Sequence, residues 1–269
     1  MKSKVIFMCG SHRRHLYIAE RLWKEGRLVA LIVEEREEFV PEPPANLRER
    51  DRKNFVHHFA ERDRAERKFF EHVEKEKLLG SVPVYYVTKE NLNDEATIQF
   101  IKEHPAEMLL TYGVHKVDNE IIQCHPGKSF NIHGGLSPWY RGNTTLFWPF
   151  YFLKPNWAGM TLHQLTEKLD GGSILHHSVP TLEHGDTMHE VACKAVCQVA
   201  EDLCLILQRV DEGEELTCKR QKSSGKLFVS EDWTPQTLRI IYELFDDKIV
   251  DMFLDGELEN SEPDLVKFI

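Results

Sequence analysis

The chain has 269 residues, of which 29% are charged and 41% hydrophobic, and it carries a formal net charge of −10. This length is enough for one large domain with its own core, and no apolar run approaches the roughly 20 residues of a membrane-spanning helix. The negative charge disfavours a nucleic acid or an anionic membrane as partner, and six cysteines without a CxxC pair indicate reduced thiols instead of a disulfide framework.

The first predicted elements form a βαβ unit. Residues 4–9 are a short apolar run, and apolar residues recur behind it at helical spacing as far as Gly26. Residues 28–33 form a second apolar run, which is typical of a parallel strand buried on both faces. The N-terminus lacks the cleavage pattern of a signal peptide, so we expect a cytoplasmic protein.

A charged segment interrupts this alternation. A proline-rich stretch leads into residues 46–77, where phenylalanines fall near helical spacing. This pattern predicts one long or two shorter helices, inserted in the sheet over about residues 36–80. We interpret the charges as a solvated helical face. The alternative that stays open is that this segment forms part of a surface that binds the acceptor substrate or a second copy of the chain.

Strands and helices then alternate again. The predicted strands cover residues 82–87, 108–112, 129–133, 159–164 and 174–179, and the predicted helices cover residues 96–103 and 187–208. This order predicts an α/β fold with a mostly parallel, Rossmann-like sheet flanked by helices.

Two units are predicted along the chain. Residues 1–210 carry the alternating pattern and are predicted to form the catalytic domain. Residues 211–269 are predicted to form a small, acidic C-terminal appendage. Whether this appendage makes a homodimer stays open.

The most informative residues follow a predicted strand. Asn131 and His133 are two apart at its C-terminal end, so their side chains point to the same side, and the glycine pair behind them lets a ligand approach the backbone. Open α/β sheets bind ligands at the carboxyl ends of their strands. We therefore expect the active site here.

These residue types suit attack of an amine on a formyl carbon, which creates an oxyanion and a protonated nitrogen. An Asn amide is a neutral donor for the oxyanion, and a His can donate to it or move the proton. A carboxylate near the His would orient it and favour its charged form. We assign that part to Asp170, which precedes two glycines.

Each residue alone has a structural interpretation. Asn131 suits a turn cap, His133 suits a hydrogen-bonded interior histidine, and Asp170 suits an ordinary turn. Only the combination favours a catalytic site.

The sequence here resembles the folate-dependent formyltransferases, which include glycinamide ribonucleotide, methionyl-tRNA and sugar-nucleotide N-formyltransferases. The family's Asn-x-His, followed by a Leu-Pro-like turn and Arg-Gly, is matched from Asn131 to Gly142 with Ser137 in the turn, and its Asp-x-Gly is matched at Asp170. The resemblance covers about residues 1–210 and is strongest over residues 105–185. It implies N10-formyltetrahydrofolate as formyl donor. As acceptor we expect a primary amine of a small molecule.

The resemblance also implies where the donor binds. The implied donor-binding residues lie in two loops: Leu110, Thr111, Tyr112, Gly113 and Val114 in the first, and Thr166 and Leu169 in the second.

The acceptor is predicted to contact the turn after the first strand. Backbone amides and guanidinium groups there favour a phosphate, although a merely structural turn fits equally well. The candidate acceptor-binding residues are Gly10, Ser11, Arg13, Arg14, Arg141 and Gly142.

Among acceptors, the sequence favours an amino sugar on a nucleotide carrier. The acidic C-terminal residues give a poor surface for methionyl-tRNA, and a simple glycinamide ribonucleotide enzyme needs a shorter chain. Hydrolysis of the formyl-folate and binding without turnover are the competing hypotheses. No metal is predicted, because the histidines match no ligand spacing.

Overall fold

A seven-stranded sheet is the centre of the computed structural model, which describes residues 2–36, 40–222 and 225–269. The strands, in chain order, are Val5–Gly10 (β1), Leu28–Glu34 (β2), Val84–Val87 (β3), Met108–Tyr112 (β4), Ser129–His133 (β5), Tyr140–Gly142 (β6), Met160–Gln164 (β7), Ile174–Ser178 (β8) and Lys226–Phe228 (β9). The order in the large sheet is β3-β2-β1-β4-β5-β7-β8. Its first five strands are parallel, whereas β7 is antiparallel to both of its neighbours, β5 and β8. The predicted α/β fold with a mostly parallel sheet is confirmed.

Helices cover both faces of this sheet. They are Arg13–Lys24 (α1), Glu49–Phe70 (α2), Lys75–Leu79 (α3), Glu95–Glu103 (α4), Asn119–Ile122 (α5), Trp148–Tyr151 (α6), Met188–Asp211 (α7) and Ile249–Leu254 (α8). Short 3-10 turns at Pro155–Trp157, Ser230–Asp232 and Pro235–Thr237, and a π-helix at Ile240–Leu244, complete the helical segments. No helix in the described ranges is both long and apolar enough to cross a membrane.

Alternation along β1 explains its continuous apolar sequence. Val5 and Phe7 belong to a core that contains residues of α1, α2 and α7, whereas Ile6 and Met8 belong to a second core with residues of α4 and α5. All four side chains are fully buried. A strand that is covered on both faces has no polar position along its length.

The charged insertion forms the long α2 followed by the short α3. Phe55, Phe59 and Phe70 of α2 are buried, and its charged residues mostly face outward, as the helical spacing predicts. Residues 37–39 of the predicted insertion lie outside the described residues. Because α2 contacts both α1 and α7, it forms a wall on the same side of the sheet as those helices.

Residues near the C-terminus pair with β8 through two buried histidines. His176 Nδ1 accepts from the amide of Phe268 at 3.1 Å, and His177 Nδ1 accepts from the amide of Val266 at 3.0 Å. The other ring nitrogen of His177 donates to the carbonyl of Ser137 at 2.8 Å. Burial lowers the pKa of His177 to about 4, so its neutral ring joins the final residues to the loop after β5.

Candidate active site

Three neighbouring strands bring the candidate side chains together. Asn131 of β5 lies between Thr111 of β4 and His163 of β7 in the register of the sheet. His133 is two residues further along β5 and therefore points to the same side as Asn131. Asp170 follows β7 in a loop, in the left-handed conformation with φ of 45°. The sheet thus places a fourth polar residue, His163, beside the three that the sequence suggests.

Asp170 lies between two imidazoles. Its Oδ2 accepts from the amide of Gly142 at 2.8 Å and lies 3.5 Å from Nδ1 of His133, while its Oδ1 lies 3.5 Å from Nε2 of His163. Burial alone raises the pKa of the Asp170 carboxyl, but His133, His163 and the Gly142 amide outweigh it and hold that pKa well below its usual range. The carboxylate is therefore charged at neutral pH.

Backbone carbonyls fix the tautomer of each imidazole. His133 donates through Nε2 to the carbonyl of Tyr140, and His163 donates through Nδ1 to the carbonyl of Gln164, both at 2.9 Å. In the neutral rings, the remaining nitrogens have lone pairs that face the Asp170 carboxylate. One added proton on either imidazole turns this repulsion into a charge-assisted hydrogen bond. The cluster is arranged to receive one proton.

Asn131 has a fixed amide orientation. Its Oδ1 accepts from the hydroxyl of Thr111 at 2.8 Å, and its Nδ2 lies 3.3 Å from Nε2 of His163, which can accept one amide hydrogen. The second amide hydrogen is left for a ligand. Since Asn131 is half-buried and lines the cavity, it can donate to a developing oxyanion.

Replacing Thr111 with Val tests this orientation. The variant keeps the shape of the side chain but removes the donor to Asn131 Oδ1, so the amide is free to rotate. We expect kcat to fall about fivefold, which corresponds to the loss of one hydrogen bond of roughly 1 kcal/mol. Steady-state kinetics with Thr97→Val as the buried control measures this effect; an unchanged kcat for Thr111→Val would show that the hydroxyl does not orient Asn131.

The site opens into a cavity of about 430 Å³ with two sets of walls. One part, the loop arm, is lined by the loops after β4 and β7, with Val114, Val117, Leu165, Thr166 and Leu169. The other part, the helix arm, is lined by the turn after β1 and by α1, α2 and α7, with Arg14, His58, Glu66, His189 and Cys193. Among the described residues, the lining includes five Lys or Arg side chains but only two carboxylates. The cavity is thus cationic in an acidic chain.

Most residues suggested for donor binding line this cavity. They are Thr111, Tyr112, Gly113, Val114, Thr166 and Leu169. Leu110 is different, because it is buried within the sheet and does not reach the cavity. The loop after β4 is held by Glu34 at the end of β2, which accepts from the His115 amide at 2.8 Å. Donor binding by these residues stays a prediction.

The residues suggested for acceptor binding are more scattered. Arg14 and Gly142 line the cavity. Arg13 instead pairs with Asp63 at 2.8 Å, and Ser11 accepts from the amide of Arg36 at 3.1 Å. Neither of these two residues lines the cavity. The same is true of Gly10, which packs on His15, and of Arg141, which is buried. Their contact with an acceptor stays a prediction.

Sequence reasoning missed His163 and most of the helix arm. His163 lies within a predicted strand, but only the antiparallel pairing of β5 with β7 puts it opposite Asn131. His58 and Glu66 lie in the charged insertion. Because the charges of that segment are interpreted as a solvated helical face, the sequence does not identify these two residues as part of a site. The sequence indicates the buried face of α2 only through phenylalanines at helical spacing.

Comparisons with known proteins find related sequences and similar folds. The bifunctional polymyxin resistance protein ArnA from Wigglesworthia glossinidia brevipalpis is 33% identical over 124 residues, which is 46% of this chain but only 18% of that protein. Glycinamide ribonucleotide transformylase 1 from Symbiobacterium toebii shares the fold with a TM-score of 0.53 at 16% identity, over 82% of this chain and 95% of its own.

A third similar structure is WlaRD, described as a sugar 3N-formyl transferase in the presence of dTDP and 5-N-formyl-THF. It has a TM-score of 0.53 at 15% identity and covers 87% of this chain and 72% of its own. At such identities these structures establish the fold alone. The family model described as formyl transferase matches residues 43–205, which is more than half of the chain and includes Asn131, His133 and Asp170. This chain therefore belongs to the formyl transferase family.

Proposed function

We propose that this protein transfers a formyl group from N10-formyltetrahydrofolate to a primary amine of a small molecule, and that the acceptor is a nucleotide-linked amino sugar. The carrying observation is the cluster of Asn131, His133 and Asp170 in one cavity of a formyl transferase fold. The folate donor is supported by the family resemblance and by the formyl-folate named with the similar sugar enzyme.

The loop arm fits a flat heterocycle such as a pterin. Its apolar side chains include Leu169, which is 50% exposed at the cavity, and the neighbouring loop backbone offers hydrogen-bonding groups. Thr166 donates its hydroxyl to the carbonyl of Lys168 at 3.1 Å, which closes this loop on itself. A donor held here would present its formyl group toward Asn131 and His133.

The chain's polar groups match the charges that form during transfer. As the amine attacks, negative charge develops on the formyl oxygen, and the Asn131 amide can donate to it. The nitrogen becomes positive and must lose a proton. Neutral His133 can accept that proton at Nδ1, where Asp170 stabilises the resulting imidazolium. His133 can then return the proton to the leaving nitrogen of the donor.

The pH dependence of kcat follows from the state of His133. Burial lowers the pKa of His133 below its ordinary 6.5, even though Asp170 opposes the shift. A lowered pKa keeps the ring neutral below pH 6.5, so a base role remains intact there. We expect log kcat to stay level from about pH 8 down past 6.5 and to fall only in more acid solution. An acid limb centred above pH 6.5 in a kcat profile at saturating substrates would contradict this role.

The proposed reaction is tested with N10-formyltetrahydrofolate, alone and with a panel of amines. The panel includes dTDP- and UDP-linked 4-amino sugars, glycinamide ribonucleotide and methionyl-tRNA, and formamide products are identified by mass spectrometry. We expect a formylated amino sugar, with one tetrahydrofolate released for each formamide formed. Rapid formate release without any amine would favour a hydrolase, and folate binding without either product would favour a binding protein.

A further inference from the structure

A buried carboxylate in the helix arm has one oxygen without a protein partner. The Glu66 side chain is 3% exposed, and it lines the cavity. Its Oε1 accepts from the guanidinium of Arg14, whereas no donor within the described ranges reaches Oε2. A buried carboxylate oxygen without a hydrogen bond is costly, so such an atom on a side chain that lines a cavity is suited to a ligand donor.

Arg14 holds this carboxylate in place. The ion pair joins α1 to the last turn of α2, and both helices pack against α7. Because Oε1 is already held by a charged donor, the direction of Oε2 is defined. The carboxylate is therefore preorganised to accept a hydrogen bond, and it presents no donor of its own.

The surroundings restrict what that ligand group can be. Arg62 lies one turn earlier in α2 and also lines the arm, so the arm combines a hydrogen-bond acceptor with positive charge. Phe70, Ala192 and Val196 add an apolar wall. Carboxylate, guanidinium and apolar surface together suit a polyhydroxylated ring that carries an anionic group.

We propose that Glu66 Oε2 accepts a hydrogen bond from a sugar hydroxyl of the acceptor, which makes Glu66 a specificity-determining residue. This assignment rests on the proposed function, since it deepens the identity of the acceptor. Glu66 belongs to α2 within the charged insertion, so that insertion supplies acceptor recognition as well as a solvated face.

Glu66→Gln is the informative variant. The Gln side-chain oxygen still accepts from Arg14, so the packing between α1 and α2 is preserved, but an amide donor replaces the unpaired oxygen. Glu61→Gln is the matched control, because Glu61 lies on the same helix, pairs with Arg64 and does not line the cavity.

Binding is measured by isothermal titration in the presence of saturating 5-formyltetrahydrofolate. The probes are dTDP-glucose and UDP-glucose, with inorganic pyrophosphate as the anion that lacks hydroxyls. We expect Glu66→Gln to weaken the tighter nucleotide sugar by about 10- to 100-fold, the effect of one hydrogen bond to a charged group. Pyrophosphate affinity, the affinity for 5-formyltetrahydrofolate and all values for Glu61→Gln should be unchanged.

Unchanged sugar binding in Glu66→Gln, an equal loss for pyrophosphate, or no binding of either nucleotide sugar to the unsubstituted protein would each overturn the assignment. A parallel transfer assay separates this result from the proposed function. Formylation of amines that is unaffected by Glu66→Gln would overturn the role of Glu66 alone. Glu66-dependent sugar binding without any formylated product would support that role and overturn the proposed reaction.

Discussion

Asp170→Asn is expected to reduce kcat by about 10²- to 10⁴-fold, the range for loss of positioned acid-base catalysis. Asparagine can still accept from the Gly142 amide, so the loop is expected to keep its conformation. It cannot stabilise an imidazolium at His133 or His163, because its charge is gone. Rapid-quench measurement of formyl transfer with saturating donor and acceptor isolates this chemical step.

Asp202→Asn is the matched control for that variant. Asp202 accepts from Nε2 of His176 at 3.1 Å in a buried histidine-aspartate pair outside the cavity. We expect the kcat of Asp202→Asn to stay within about twofold of that of the unsubstituted protein, because Asp202 does not line the cavity in which the reaction takes place. Equal losses in the two variants, or a kcat for Asp170→Asn within tenfold of the unsubstituted protein, would contradict the catalytic assignment.

Asn131→Ala is expected to lower kcat by about 10²- to 10³-fold, the usual effect of removing one oxyanion donor. The affinity for 5-formyltetrahydrofolate should change much less, since the donation strengthens only as charge develops on the oxygen. Pre-steady-state transfer rates and donor titrations measure the two quantities separately. A loss confined to donor affinity would make Asn131 a binding residue instead.

Asn119→Ala provides a control for the substitution itself. Asn119 is exposed at the start of α5 and does not line the cavity, and its side chain accepts a hydrogen bond from Gln123 at 3.3 Å. Its variant should match the unsubstituted protein in both rate and affinity.

The strands were the most predictable part of the fold. Met108–Tyr112 and Ser129–His133 were predicted with their observed bounds, because short strands between turn residues have clear ends. The pair of β6 and β9 was missed, since three-residue strands from distant parts of the chain have no periodicity of their own.

The site was less predictable than the strands that carry it. Asn131 and His133 could be paired from their spacing along one strand, whereas the contact of His163 with Asp170 depends on antiparallel register and on a left-handed residue in a loop. The orientation of Glu66 depends on how α2 packs against α1 and α7. Local periodicity contains no information on such long-range contacts.

The C-terminal residues also determine which sheet edge can meet another chain. Beside β8, the amide of His177 donates to the carbonyl of Val266 at 2.8 Å, and Ile174 forms a bridge with Lys219, so the chain covers its own edge strand. The opposite edge is β3, which has only four residues, with Tyr86 62% exposed. Short edge strands are poor templates for strand addition. Edge-to-edge growth of the sheet between copies is therefore disfavoured at both edges, because β8 is covered by its own chain and β3 is short.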